Sequence, residues 1–110
     1  MTGTEDFVEI LPQTKPADRR IPFDHMSAAE TCLVIFNGGD HMIFSGRERQ
    51  GSESERSQDE VFHQLICAGT TAFWDAYLKG NAAAKQWVMG SGYAQWLGPQ
   101  ATYERKVPAR

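Results

Sequence analysis

The stretch Cys32-Leu33-Val34-Ile35-Phe36-Asn37-Gly38-Gly39-Asp40-His41 decides the fold. Its first five residues form a short apolar run, rich in β-branched and aromatic side chains, that reads as a strand buried on both faces of a parallel sheet. The glycines after it soften the chain into a loop, so His41 falls at the C-terminal edge of that sheet. In open α/β sheets this edge is where ligands bind, and histidine is the side chain whose charge changes near neutral pH. A general base is the first functional expectation.

A carboxylate precedes it. Thr2-Gly3-Thr4-Glu5-Asp6 is a small-residue turn that presents Asp6, 35 positions (41 minus 6) before His41. An acid followed by a histidine, each at a strand end, is the second half of the order Ser, Asp or Glu, His that marks α/β-hydrolases. The nucleophile is missing from that order. No Gly-x-Ser-x-Gly occurs: Ser91 has Met89 and Tyr93 at the glycine positions, and Ser45 has Ile43 and Arg47. Cys32 has Glu30 and Val34 there, and Cys67 has Leu65 and Gly69. Alone, Asp6 reads as a turn carboxylate accepting backbone hydrogen bonds. Its pairing with His41 makes it the candidate acid, with Glu5 as the rival. Asp40 adjoins His41, and neighbouring side chains diverge, so it is assigned to shaping the loop.

Three segments together carry a resemblance: Gly3-Thr4-Glu5-Asp6, then Gly38-Gly39-Asp40-His41-Met42, then Phe62-His63-Gln64-Leu65-Ile66 with Phe73-Trp74-Asp75-Ala76-Tyr77-Leu78. In order and spacing they resemble the C-terminal third of a predicted dienelactone hydrolase, of the α/β-hydrolase superfamily near the acetylhydrolases and chlorophyllase-like esterases. The resemblance runs over residues 1–106. It implies that Asp6 is the triad acid and His41 the triad base, and that nucleophile elbow, oxyanion loop and most of the sheet would precede Met1. The expected fold is α/β, the C-terminal part of an α/β-hydrolase domain over residues 1–110, with one or two parallel strands, a long helix and a shorter C-terminal helix on an incomplete sheet. The substrate expected of the complete enzyme is a small-molecule carboxylic ester, and the chain alone is expected to be inactive. The alternative is a non-catalytic truncated paralogue or interaction module that keeps these residues by descent.

Composition narrows the classes. A net charge of −3 and a pI near 5.5 give no basic field, so nucleic-acid binding is not expected. No apolar run approaches the ~20 residues of a membrane span and no signal peptide stands at Met1, so the chain reads as soluble, its compartment undetermined. The two cysteines lie in apolar segments and read as reduced core residues. His25 and His63 are assigned structural roles. A zinc site from His25, His41, Cys32 and Cys67 lacks any paired ligand spacing, and no cofactor or metal is expected.

The remaining elements are read from local signals. Gln13 to Asp24 is polar, with Pro16 and Pro22, and reads as a surface loop. Ser27-Ala28-Ala29-Glu30 is a capping-box pattern that predicts one helical turn. Residues 45–58 are charged and hydroxyl-rich and read as an exposed loop. Ser57-Gln58-Asp59-Glu60 then predicts the start of a long helix whose apolar face is Phe62, Leu65, Ile66, Phe73, Ala76 and Tyr77, closed by Gly80. Asn81 predicts the cap of a second helix, ended by Gly90. In the tail, Trp96, Leu97 and Tyr103 are expected to pack and Pro108 onward to fray. With at most two strands, the chain alone is expected to be poorly folded or to associate through its uncovered sheet edge.

Overall fold

The computed structural model describes residues 1–8, 10–46 and 50–108. Over these residues it is an α/β chain with a three-stranded mixed sheet and four α-helices. By its internal contacts it divides into two units, Met1–His41 with Pro99–Arg110, and Met42–Gly98.

The first unit holds the sheet: β1 (Thr2–Glu5), β2 (Thr31–Asp40) and β3 (Ala101–Lys106), in the order β1-β2-β3. β2 is central because it carries the apolar run, and Leu33, Val34 and Phe36 are buried within it. It pairs parallel with β1 and antiparallel with β3, from Thr31 opposite Lys106 to Phe36 opposite Ala101. β3 corrects the expectation of at most two strands. Residues 109 and 110, part of the tail expected to fray, lie outside the described residues. Thr102 to Lys106 is largely polar, so no apolar run marks it; its anchors are distant in sequence.

One of those anchors is Arg20. Residues 13–24 are not the loop expected of them, because Pro16–Arg20 forms a 3-10 turn that leads into a short helix, α1 (Ile21–His25). Pro16 and Pro22 open these segments, where a missing N–H costs nothing. Arg20 donates from Nε and Nη2 to Asp24, at 3.0 Å each, and from Nη1 and Nη2 to Glu104 on β3, at 2.9 and 3.1 Å. The Arg20 guanidinium holds the Asp24 carboxyl below its usual range. Lys106 Nζ donates to the carbonyls of Phe23 (2.6 Å) and Asp24 (3.1 Å), capping α1 from the end of β3. The Ser27–Glu30 pattern forms no helix: residues 26–30 are bends and coil.

The second unit is helical. α2 spans Glu53–Leu78 and so starts earlier than Ser57 indicated. Ser52 is the cap, its Oγ accepting from Glu55 N at 3.2 Å. The Ser-x-x-Glu signature thus stands at both Ser52 and Ser57, and α2 starts from the earlier of the two. The expected loop over residues 45–58 therefore ends at Ser52, while residues 47–49 lie outside the described residues. The predicted apolar face is buried or half-buried throughout. After Gly80, whose φ of +66° suits glycine, Asn81 Oδ1 accepts from Ala84 N at 3.0 Å and caps α3 (Ala82–Met89), as expected. A further helix not expected from the sequence, α4 (Gly92–Leu97), brings Tyr93 onto α2. Its hydroxyl donates to the Leu65 carbonyl at 2.6 Å, and its ring lies over Gly69, where a Cβ would fall 2.4 Å from Tyr93 Cζ. Trp96, expected to pack, is half-exposed.

Candidate active site

The site begins where β2 stops being regular. Gly3 stands opposite Phe36 and Glu5 opposite Asp40, so two steps along β1 are matched by four along β2. The two extra residues form a bulge, which bends a strand and re-aims the side chains beyond it. Glycine makes the bulge possible. Gly38 takes a φ of +83°, and a Cβ on Gly3 would fall 2.0 Å from the Gly39 carbonyl oxygen. The bulge is tied to β1 by a bond from Gly38 N to Thr4 Oγ1 at 2.8 Å.

Beyond the bulge, His41 opens a 3-10 turn (His41–Phe44), and its Nδ1 lies 2.9 Å from Asp6 Oδ1. The structure therefore brings the two sequence-nominated residues together at the ends of neighbouring parallel strands. An ionised carboxylate only accepts, so Nδ1 carries the hydrogen and Nε2 is left as the basic nitrogen. The Asp6 side chain is 8% exposed and that of His41 is 52% exposed. The acid is thus shielded, while the imidazole can meet a reacting group.

Asp6 has further partners that sequence reasoning does not find. Its Oδ2 accepts from Thr2 Oγ1 at 2.7 Å, a buried bond, and Arg19 Nη2 lies 3.7 Å from Oδ1. Its own N–H donates to the Gly3 carbonyl at 3.1 Å, closing the turn that aims the side chain. No sequence pattern marks Thr2 or Arg19 as neighbours of an acid. Glu5, the rival acid, is exposed.

The other candidates fall elsewhere. His25 ends α1 and is exposed. His63 is half-buried on α2, and its Nε2 is buried without a partner. Both cysteines are free; Cys67 is exposed rather than part of the core, and Cys32 is half-buried, with burial pushing its thiol pKa up. Among the described residues no group of three or more His, Cys, Asp or Glu is placed to hold a metal ion. Nor is any described helix long and apolar enough to cross a membrane. Compared with known proteins, the chain matches no family model, no curated protein and no solved structure.

Proposed function

We propose that this chain supplies the acid and base of a carboxylic-ester hydrolase of the α/β-hydrolase type, its fold being the C-terminal part of that domain, near the dienelactone hydrolases. The observation that carries the reading is the 2.9 Å contact between His41 Nδ1 and Asp6 Oδ1 at the C-terminal ends of adjacent parallel strands. In the reaction, a Ser or Cys outside these 110 residues attacks the acyl carbon of a small-molecule ester while His41 Nε2 takes its proton. His41 then gives that proton to the departing alcohol, and a water activated by the same nitrogen releases the acid. Asp6 holds the Nδ1–H tautomer and stabilises the imidazolium.

The test is ester hydrolysis. The isolated chain should turn over p-nitrophenyl acetate no faster than free imidazole, because base, nucleophile and oxyanion donors act as a unit. Joined to a segment bearing Gly-x-Ser-x-Gly from the reading frame before Met1, it should hydrolyse the ester and be silenced by a serine-directed phosphonate. Turnover by the isolated chain, or none by the joined protein, counts against the reading. β3 favours a second reading, a non-catalytic module, because three strands are enough for a sheet to stand alone whereas two are marginal. A monomeric chain with one cooperative unfolding transition and no nucleophile-bearing segment to join would support it; self-association through a sheet edge would not.

A further inference from the structure

Both oxygens of Asp6 are occupied, and by groups of different kinds. Oδ1 accepts from His41 Nδ1, and Oδ2 accepts from the Thr2 hydroxyl. A carboxylate turns easily about its last bond, since that torsion is broad and two-fold, so one contact with His41 does not fix its plane. The second contact does. Thr2 is itself well fixed: it is 4% exposed, its backbone is paired with Ile35 in β2, and its β-branched side chain is stiff at χ1.

Arg19 stands beside the same carboxylate as a rival donor. Its Nη2 lies 3.7 Å from Oδ1, the oxygen His41 uses, and its Nε is buried with no partner. A guanidinium prefers to grip a carboxylate with two parallel N–H bonds, which needs both oxygens. Here Oδ2 is engaged by Thr2, and the arginine stands off at a long ion-pair distance instead of making that two-bond grip. We propose that Thr2 is the positioning residue of the Asp6–His41 pair: its hydroxyl denies Oδ2 to Arg19 and so keeps Oδ1 turned to the imidazole. The catalytic purpose of this arrangement rests on the hydrolase reading; the arrangement itself does not.

The experiment tracks the His41 imidazole N–H proton by NMR in the full 15N-labelled chain, with His41→Gln to assign the signal. Thr2→Val keeps the shape and removes the hydroxyl, and should speed exchange of that proton with water by about tenfold or more, the worth of one buried hydrogen bond. Thr2→Ser should stay close to the parent. Adding Arg19→Gln to Thr2→Val should slow exchange again, because the competitor is gone, a rescue that a merely structural threonine would not give. Unchanged exchange in Thr2→Val, equal damage in Thr2→Ser, or no rescue by Arg19→Gln overturns the proposal. If Thr2→Val does not fold, the parent decides: the Thr2 hydroxyl proton should exchange far more slowly than that of exposed Thr102, and equal rates overturn it. None of these readouts needs turnover. Failure of ester hydrolysis with the exchange pattern intact would therefore remove the hydrolase reading and leave the role of Thr2 standing.

Discussion

The two halves of β2 are built for different ends. From Thr31 to Phe36 every residue is matched one for one with β3, and the side chains of Leu33, Val34 and Phe36 are buried. From Asn37 to Asp40 the strand gives up that regularity, inserts two extra residues as a glycine bulge and delivers His41 to Asp6. The regular half contributes stability through buried apolar area. The bulged half contributes little packing and sets the geometry of the dyad, since a bulge bends its strand and re-aims the side chains beyond it. Changes in the first half should therefore cost folding, and in the proposed hydrolase changes at the dyad should cost chemistry.

The sharpest separation comes from Asp6→Asn. In a hydrolase completed by a nucleophile-bearing segment it should lower kcat by up to ~10⁴-fold through the wrong imidazole tautomer, with thermal unfolding little changed. Steady-state kinetics beside calorimetry would show both. Phe36→Ala, in the regular half, should do the reverse, costing about 3–5 kcal/mol of stability by opening a cavity where the side chain is fully buried. Denaturant titration measures it.

Gly3→Ala probes the seam between the halves. The new methyl would meet the Gly39 carbonyl, so β1 and the bulge must separate, at a cost of about 1–3 kcal/mol. Unlike Phe36→Ala it should also disturb the His41 N–H signal. A Gly3→Ala chain that unfolds earlier with that signal unchanged would show that the bulge does not position the dyad.

The smallest effect is one of pH, in the regular half. Tyr103 lies opposite Val34, and burial, with a lesser contribution from Cys32, pushes its phenol from the ordinary 10 up to about 12. The folded chain thus resists forming phenolate. Its contribution to stability is complete below pH 10 and is lost as the pH rises towards 12. Phenolate absorbance against pH, compared with Tyr103→Phe, checks it.

Legibility in the sequence obeys the same division between local and distant causes. Asn81, Gly80 and the apolar face of α2 can be read because caps and helical periodicity act within a few residues. The start of α2 is ambiguous because Ser52-x-x-Glu55 and Ser57-x-x-Glu60 carry the same signal, and nothing local ranks them. β3 and α1 escape a local reading because the contacts that fix them, Arg20 to Glu104 and Lys106 to the Phe23 carbonyl, join residues more than eighty positions apart. Asp6 and His41 are legible as a pair from chemistry and order. Thr2 and Arg19 are not, since a hydroxyl and a guanidinium near an acid leave no trace in spacing.

The central claim, that Asp6 holds His41 in the tautomer a base requires, is tested most directly by the 15N spectrum of the His41 ring near neutral pH. The account predicts a hydrogen on Nδ1, an unprotonated Nε2, and loss of that preference in Asp6→Asn. A ring with its hydrogen on Nε2 in the parent chain, or one whose tautomer ignores Asp6→Asn, would contradict it.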